Sequence, residues 1–345
     1  MNKKKIIIFK NDAVGDLVQS LDAINNIANH DKNTKITIYL SERSKNFKFL
    51  LNFKNTEIKI LNYDLKLIDK IKILIELIKG SFKSAYILSP KTFYYYLPIL
   101  FRKIKFYGLC INNVNNYKRP LSFLRKYLYF LVINERDKIN KRESTSELQV
   151  ELTKDLNFKQ KYKINLSSEI QNNNDFKIVN YIYFHLKFSN FKKLGWGLSE
   201  LDLILNEFLK YKQNVIFTKD IELSNQNHNY EKNYNVIDFF NNTKKINKSR
   251  IYLYDNIKGI KLYKLIRNAD KVVGFHGMMT NLASIEKRPV LDLFYCDIKS
   301  REDFRRYKNA LYEFKPKYKG YDFIVPNKNI NKTISKMKFS LKKTL

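Results

Sequence analysis

The sequence predicts two doubly wound α/β domains, each Rossmann-like, that face each other across a cleft. At 345 residues the chain exceeds the usual size of one hydrophobic core, so two domains of about 150 residues are expected. Short β-branched runs alternate with amphipathic stretches in both halves, which is typical of βα units around a parallel sheet. The polar, Asn-rich segment 157–177 separates the two series and has the composition of a linker.

The first series of βα units precedes this segment. Its predicted strands are Lys5–Phe9, Lys35–Tyr39, Glu57–Leu61, Ser84–Leu88 and Lys105–Gly108. Helical patterns cover Asp16–Ala28 and Leu65–Ile78, and residues 110–160 are predicted to be helical, ending with Ser146–Leu156. The first domain is therefore expected to span residues 1–165.

The second series follows the linker and defines a domain over residues 178–326, with a basic, helical tail at 327–345. Its predicted strands are Tyr181–His185, Asn214–Thr218, Ile251–Tyr254, Lys271–Phe275 and Val290–Phe294. Its predicted helices lie near Ser199–Tyr211, Ile260–Asn268 and Thr280–Glu286. In such sheets ligands bind beyond the carboxyl ends of the strands, so the site is expected between the two domains.

The chain is strongly basic, with 65 Lys and Arg against 33 Asp and Glu and a formal charge of +32. Such a charge favours polyanions, among them phosphorylated substrates and anionic membrane surfaces. Part of it reflects the joint abundance of Lys, Asn, Ile, Tyr and Phe that an AT-rich coding sequence produces. Because no zinc finger or aromatic RNA-binding strand is present, nucleic acid is not the expected partner.

Cysteine usage and hydropathy indicate a cytoplasmic protein. Cys110 and Cys296 lie far apart and form no CxxC motif, which argues against disulfides and zinc. The apolar run Ile6–Phe9 is too short for a signal peptide. No uncharged apolar stretch reaches the 18 residues expected of a spanning helix.

The first strand-to-helix turn is the most informative part of the sequence. The strand runs into a polar loop beginning at Lys10 and Asn11, Gly15 permits close backbone approach, and Asp16 stands at the expected helix start. The simplest interpretation of Asp16 is an N-cap, since Asp side chains accept from free backbone N–H groups. The loop has neither a GxGxxG nor a Walker pattern.

Gly15-Asp16, followed by Leu17 and Val18, resembles the N-terminal signature of the heptosyltransferases, glycosyltransferase family 9. The resemblance implies a GT-B fold and gives Asp16 the role of general base toward the acceptor hydroxyl. Lys10, Asn11 and Gly15 would belong to the acceptor-side loop. A hydroxyl that attacks an anomeric carbon must lose its proton as the bond forms, so a fixed carboxylate suits this step.

A second segment similar to that family runs from His185 through Lys192 and Lys193 to Trp196. The resemblance places these residues in a loop where Lys192, with Lys193 as second choice, contacts the donor phosphates. A cation there would offset the charge that develops on the leaving diphosphate. The alternative is that two lysines in a Lys-rich chain have no such role.

The third such segment is the turn after Lys271–Phe275. It resembles the donor-diphosphate segment of the family, in which backbone N–H groups at a helix start hold an anion. The candidate donor-binding residues are His276, Gly277, Met278, Thr280 and Asn281. The family commonly has Asp-Thr-Gly in this turn and a His at the position of Asn281, so a different nucleotide sugar stays open. His276 could instead only close the turn.

Residues 92–130 mix aromatic, aliphatic and basic side chains. Such a surface suits docking on an anionic leaflet, where a lipid-linked acceptor of the resembled family would lie. The alternative is a helix that packs on the sheet while its Lys and Arg side chains extend to solvent.

These observations predict an inverting, metal-independent glycosyltransferase of lipopolysaccharide biosynthesis, cytoplasmic and peripheral on the inner face of the membrane. Its donor would be a nucleotide-diphosphate sugar similar to ADP-heptose, used as co-substrate, and its acceptor a lipopolysaccharide-type glycolipid or surface glycan. No Asp-x-Asp motif or metal-ligand set is present, so neither a metal nor another cofactor is expected. The rivals are a GT-B transferase with another donor, and a non-enzymatic, polyanion-binding α/β protein in which Asp16 only caps a helix.

Overall fold

A computed structural model describes residues 4–112, 122–135, 143–164, 178–220, 233–239, 241–246, 248–297 and 299–344. Contacts divide the chain into two compact units. The first comprises residues 1–165 together with 298–315, and the second comprises 166–297 together with 316–345. Each unit is built around its own sheet.

The strands of the first sheet are β1 (Lys5–Lys10), β2 (Lys35–Ser41), β3 (Thr56–Leu61), β4 (Ser84–Ile87), β5 (Lys105–Asn112) and β6 (Phe130–Glu135). The strands of the second sheet are β7 (Tyr181–Leu186), β8 (Asn214–Lys219), β9 (Asn235–Asp238), β10 (Thr243–Lys245), β11 (Ile251–Asp255), β12 (Lys271–Phe275), β13 (Val290–Leu293) and β14 (Tyr321–Ile324).

The α-helices before the second unit are α1 (Val14–Gln19), α2 (Leu21–Asn29), α3 (Leu67–Lys79), α4 (Leu97–Leu100), α5 (Ser122–Arg125) and α6 (Thr145–Glu151). Those that follow are α7 (Phe188–Leu194), α8 (Leu198–Phe208), α9 (Gly259–Asn268), α10 (Met278–Ile285), α11 (Arg301–Phe314) and α12 (Ile330–Thr344). Two 3-10 helical stretches cover Glu42–Leu51 and Thr92–Tyr95.

Both sheets follow the same doubly wound path. The first has the order β3-β2-β1-β4-β5-β6 with all neighbours parallel. The second contains the parallel order β11-β8-β7-β12-β13-β14, extended at the β11 edge by β9 and the antiparallel β10. The order of strands reverses between β1 and β4 and between β7 and β12, so each unit has one topological switch point. The predicted α/β class is confirmed.

Each unit has its own apolar core. Buried residues of β1, β4 and β5 form the first core with the Tyr94–Leu97 segment. In the second unit, α12 adds Ile330, Ile334, Met337 and Leu341 to a core built on β7 and β8. Their spacing of four, three and four residues places them on one helix face. The segment 327–345, predicted as a basic tail, thus contains a core helix of the second unit.

Two predicted elements differ from the structure in the first unit. The helix predicted over Asp16–Ala28 is interrupted at Ser20, whose hydroxyl donates to the backbone oxygen of Asp16 at 2.8 Å. Such a bond to the residue four positions earlier bends or breaks a helix. The prediction that residues 110–160 are helical is correct for α5 and α6 but wrong for Phe130–Glu135, which is the edge strand β6, paired with β5. Residues 113–121 and 136–142 of that stretch lie outside the described residues.

Two segments near the unit boundaries also pack on the first unit. Helix α11, which falls within the predicted second domain, contributes the buried Glu313, and Asn134 Nδ2 and Thr145 Oγ1 donate to its carboxylate at 2.9 and 3.1 Å. The described start of the predicted linker, 157–164, lies on α2, where Asn25 Nδ2 donates to the backbone oxygen of Gln160 at 2.8 Å. The rest of the linker, 165–177, lies outside the described residues.

Candidate functional site

The β1–α1 loop lies at the switch point of the first sheet and is held by the carboxylate of Asp12. Lys10 Nζ, almost fully buried, donates to Asp12 Oδ2 at 2.9 Å. Ser89 Oγ, from the loop after β4, donates to the same oxygen at 2.5 Å. Because β1 and β4 are the strands on either side of the switch point, Asp12 joins their two loops.

The rest of this loop is fixed by buried polar side chains. The hydroxyls of Ser41 and Ser44 both donate to the backbone oxygen of Asp12, the second at 2.7 Å. Asn11 is wholly buried and accepts from the hydroxyl of Tyr94 at 2.7 Å. The side chains of Lys10 and Asn11, which the resemblance assigns to the acceptor-side loop, therefore hold that loop in shape.

Asp16 lies in the first turn of α1 and is partly exposed, as is Gly15. The N-cap of this helix is Ala13, and no side chain caps it. The interpretation of Asp16 as an N-cap is therefore wrong, since the residue stands three positions further on. Burial, then the negative charge of Asp12 and, more weakly, that of Asp16, raise the pKa of Tyr63. These effects place both carboxylates in the neighbourhood of that ring.

Two cations flank Tyr63. The guanidinium carbon of Arg43 lies 3.8 Å from the ring centroid, and Lys91 Nζ lies 4.4 Å from it. Lys91 Nζ also donates to the backbone oxygen of Tyr63, and burial lowers the pKa of its amine. Two cations beside an aromatic ring, with carboxylates in the same neighbourhood, suit a polar substrate that also carries negative charge.

These groups were not among the site residues predicted from the sequence, although one signal could have identified them. Asp12, Arg43, Tyr63 and Ser89 each stand two residues after the end of a strand, namely β1, β2, β3 and β4. Carboxyl ends of parallel strands share one edge of the sheet, so residues at that offset are brought together.

In the second unit, the switch point brings His185 of β7 opposite Gly274 of β12. A Cβ at position 274 would lie 3.4 Å from both the Cβ and the backbone oxygen of His185, which is ordinary van der Waals contact. His185 Nδ1 is 2.9 Å from Thr218 Oγ1, which is also 2.6 Å from the hydroxyl of Tyr183. Burial, reinforced by the charge of Lys187, lowers the pKa of His185 to about 4. Its ring is therefore neutral at neutral pH.

The turn after β12 is held to the neighbouring strand β13 by a histidine–carboxylate pair. His276 Nδ1 is 2.6 Å from Oδ2 of Asp292, which is fully buried and also accepts from the hydroxyl of Tyr321 at 2.7 Å. The other carboxylate oxygen, Oδ1, is buried with no hydrogen-bond partner in the described part of the chain. The ring of His276 lies against Phe294, with centroids 4.8 Å apart. Asp292 had no role in the sequence analysis.

Gly277 leads from this turn into α10 with a φ of 154°, a backbone conformation that L-residues with a side chain rarely adopt. Its N–H donates to Thr280 Oγ1 at 3.2 Å, and that hydroxyl donates back to the oxygen of Gly277 at 2.9 Å. The side chains of Thr280 and Asn281 are buried, whereas His276, Gly277 and Met278 are partly exposed. Thr280 therefore shapes the turn, whereas His276, Gly277 and Met278 are accessible at the surface of the second unit.

Lys192 and Lys193 lie in the last turn of α7, where the resemblance predicts a loop, and both are exposed. The helix ends at Gly195, with φ at 72°. Trp196 then returns to the core, where Nε1 donates to the backbone oxygen of Lys328 at 3.0 Å. Lys187, the N-cap of α7, is the lysine whose charge acts on His185.

The aromatic and basic segment 92–130 is largely part of the first core. Tyr94, Tyr95, Leu97 and Leu124 are fully buried, which agrees with the alternative of packing against the sheet. Tyr129 and Leu100 are exposed, and residues 113–121 lie outside the described part. Within the described ranges, no helix is long and apolar enough to cross a membrane, and no three metal-ligating side chains are grouped.

No protein-family model matches this chain, and no curated protein matches its sequence. Solved structures do resemble it. Escherichia coli ADP-heptose lipopolysaccharide heptosyltransferase II superposes with a TM-score of 0.66 at 11% identity, covering 98% of this chain and 99% of that one. A glycosyltransferase of family 9 from Veillonella parvula gives 0.64 at 10% identity, with coverage of 100% and 90%. Escherichia coli heptosyltransferase WaaC, solved with ADP-2-deoxy-2-fluoro heptose, gives 0.58 at 10% identity, with coverage of 99% and 100%.

At these identities the likeness concerns the fold, and it confirms the heptosyltransferase-like pair of Rossmann-like units inferred from the Gly15-Asp16 signature. A Listeria monocytogenes protein described as a UDP-N-acetylglucosamine 2-epimerase has the same fold. It superposes with a TM-score of 0.52 at 9% identity, covering 99% of this chain and 91% of that one. Because one fold carries several chemistries, the reaction has to be argued from the site.

Proposed function

We propose that this chain is an inverting glycosyltransferase that moves a sugar from a nucleotide-diphosphate donor to a hydroxyl of a glycan acceptor. One observation carries the proposal. Each unit presents complementary chemistry at its switch point, with the carboxylate of Asp16 in the first and the glycine-led start of α10 in the second. The heptosyltransferase fold supports the same division of roles.

In the proposed reaction the acceptor hydroxyl attacks the anomeric carbon while the bond to the diphosphate breaks. The hydroxyl proton passes to the carboxylate of Asp16, the nucleoside diphosphate leaves, and the configuration at the anomeric carbon inverts. Asp12 accepts hydrogen bonds from Lys10 and Ser89. Its contacts hold the loop from which α1 begins, and a fixed base favours proton transfer in the required direction.

The donor diphosphate is assigned to the start of α10 in the second unit. Helix starts present free backbone N–H groups, and the positive φ of Gly277 turns the chain so that Met278 begins the helix. His276 stands beside this start, and Lys192 would supply positive charge to the leaving group. We propose that these groups act without a metal ion.

The donor and acceptor remain at the level of chemical class. ADP-heptose is the first candidate donor, and a lipopolysaccharide-type or other surface glycan at the inner face of the cytoplasmic membrane is the candidate acceptor. The turn that corresponds to the Asp-Thr-Gly segment of the resembled family begins here with His276, which pairs with Asp292. This difference favours a second candidate function, a transferase that uses another nucleotide sugar.

A thermal-shift panel tests the proposal directly. Wild type and Asp16→Ala are each titrated with ADP-, UDP-, GDP- and CMP-sugars, and release of the nucleotide is measured with the stabilising donor. Stabilisation by one nucleotide class in both proteins, with turnover lost only in Asp16→Ala, is the expected result. If no nucleotide stabilises the wild type while DNA or RNA binds it in a salt-sensitive manner, the protein is a polyanion binder and the proposal fails.

A further inference from the structure

Helix α3 of the first unit exposes a row of large aliphatic side chains. The row consists of Leu67, Ile68, Ile71, Ile75 and Ile78, each between 46% and 72% exposed. Their spacing places them on one arc of about 100° around the helix axis. The opposite side of α3, with Ile73 and Leu77, is buried in the core. Helix α3 is therefore apolar on two sides, and only one of them is needed for the fold.

The aliphatic row continues onto the neighbouring edge of the sheet. Ile60 of β3 is 43% exposed, and β3 is the edge strand of the first sheet. A groove of about 300 Å³ lies between β3 and α3 and is lined by Ile60, Ile75, Lys59 and Lys72, among others. We call this surface, the five residues of the row together with Ile60, the α3 face. Contiguous apolar surfaces of this kind mark interaction sites.

Lysines border the α3 face. Lys72 and Lys79 follow the row along one side of α3, and Lys66 precedes its first residue; all three are exposed. Lys70 lies on the other side, with Nζ 5.8 Å from the ring centroid of Phe93. The surface is thus apolar along its centre and basic along its borders.

The acidic residues of α3 do not offset this charge. Asp69 is buried and accepts from the backbone N–H of Lys66 at 3.0 Å and from Asn62 Nδ2 at 2.8 Å. Glu76 pairs with Lys59 Nζ at 2.6 Å. Both carboxylates of α3 are therefore neutralised or turned into the fold, and the exposed charges that α3 itself presents beside the row are positive.

We infer that the α3 face docks on the surface of an anionic lipid bilayer. Aliphatic side chains of a surface-lying helix enter the boundary between headgroups and acyl chains, while flanking lysines reach the lipid phosphates. A second copy of the chain fits poorly, because it would bring the same lysines and a formal charge of +32 against this border. An anionic leaflet offers the opposite charge.

The inference rests on the proposed function in one respect, since a lipid-linked acceptor would lie in the same bilayer on which the α3 face docks. Docking itself is measured without donor or acceptor, so either idea can fail while the other holds. It also differs in place from the segment 92–130, where Tyr94, Tyr95 and Phe106 belong to the core of the first unit.

Vesicle co-sedimentation of the full chain tests the α3 face. The partition of wild type is compared between vesicles of phosphatidylcholine with equal phosphatidylglycerol and vesicles of phosphatidylcholine alone, at low and high salt. The test variant is Ile71→Ser/Ile75→Ser. The matched control is Leu203→Ser/Phe339→Ser, which removes two exposed apolar side chains from helices of the second unit. Circular dichroism melting checks that each variant is folded.

Wild type is expected to bind the anionic vesicles and to be released by salt. Ile71→Ser/Ile75→Ser should lose at least about tenfold in partition because two aliphatic side chains no longer enter the bilayer. Lys72→Gln/Lys79→Gln should lose about fivefold or more per lysine and show a weaker salt dependence. The control should stay within about twofold of wild type.

A tryptophan reporter locates the contact. The chain has a single tryptophan, Trp196, which is 4% exposed in the core of the second unit. Ile71→Trp adds a second one on the α3 face, and brominated lipids should quench its emission while Trp196 is unaffected.

Three results would overturn the inference. They are no binding of wild type to anionic vesicles, equal binding of the serine variant, and a wild-type dimer in light scattering that Ile71→Ser/Ile75→Ser converts to a monomer. The last would identify a second copy as the occupant.

Discussion

His276 donates from Nδ1 to the buried carboxylate of Asp292 across 2.6 Å, and this bond ties the turn before α10 to the adjacent strand β13. A carboxylate can only accept a hydrogen bond, so the Asp292 carboxylate fixes a proton on Nδ1 of His276. The other ring nitrogen, Nε2, takes no part in this bond and is the second nitrogen through which the ring can act. Tyr321 donates to the same carboxylate oxygen from β14. The position of His276 is thus set by residues that follow it by 16 and 45 places.

The pairing predicts that His276 and Asp292 act as a unit in donor binding. His276→Ala and Asp292→Ala should each weaken donor affinity about tenfold, and the double variant should be little worse than either. A double-mutant cycle by calorimetry should give a coupling energy of about 1 kcal/mol or more. Tyr321→Phe, which removes only the other bond to Asp292, should lower the free energy of unfolding by about 1 kcal/mol with little change in donor affinity. Additive losses would contradict the pairing.

Replacement of the proposed base separates chemistry from binding. Asp16→Asn keeps the size of the side chain but cannot take the acceptor proton, so kcat should fall by about 10²–10⁴ while donor affinity stays within about twofold. Asp31→Asn is the matched control, because Asp31 lies in the turn between α2 and β2 at the amino end of the sheet. Full turnover in Asp16→Asn would exclude the base role.

Gly277 is predicted to be required by its backbone conformation. Gly277→Ala has open space for the new Cβ, so any cost arises from φ at 154°, and the free energy of unfolding should fall by about 1–3 kcal/mol with weaker donor binding. Gly197→Ala serves as control, since its φ of −123° is available to alanine. Its melting temperature should barely change. Equal melting temperatures for both variants would show that the turn relaxes without strain.

The contributions of three lysines near β7 to donor binding can be compared by removing the charge of each in turn. If Lys192 contacts the donor phosphates, Lys192→Gln should raise the Kd of the donor about tenfold, and Lys193→Gln, one position further around α7, should change it less than about twofold. Lys187→Gln tests the lysine nearest His185. If only Lys187→Gln raises the Kd of the donor, the phosphate contact belongs to the beginning of α7 and not to its end.

His185 makes stability depend on pH in a defined window. Its pKa is about 4 in the folded chain, against 6.5 for a free histidine. Between these values the unfolded chain binds a proton that the folded chain does not, so the free energy of unfolding falls as pH drops from about 6.5 to 4, by at most about 3 kcal/mol. Denaturant melts of wild type should show this slope, and His185→Gln should flatten it. The same slope in both proteins would assign it to other groups.

The order of the strands and helices was largely predictable from the sequence because buried parallel strands are continuous apolar runs. Ile6–Phe9 and Tyr181–Phe184 are buried on both faces, and such short apolar runs bounded by turn signals indicate strands of a parallel sheet. β14, at the edge of its sheet, is partly exposed throughout and only four residues long, so it has no comparable signal. The same holds for the three-residue strand β10.

The internal contacts of the site could not be predicted in the same way. Nothing in the local pattern shows that Asp292 lies beside His276, since this follows from the adjacency of β12 and β13. The burial of Lys10 could not be predicted either, because lysine is usually exposed and only its pairing with Asp12 allows it to be buried. Asp16 was found through a motif, whereas Asp12, Arg43 and Tyr63 are recognised only when neighbouring strand ends are compared.

The return of α11 to the first unit has a consequence for how the chain is made. During synthesis the first six strands emerge early, but the helix that supplies Glu313 to Asn134 and Thr145 emerges only after β7 through β13 have left the ribosome. The first unit therefore remains incomplete while most of the second unit is synthesised. A fragment that stops at residue 165 would lack α11 and would correspond to that incomplete unit.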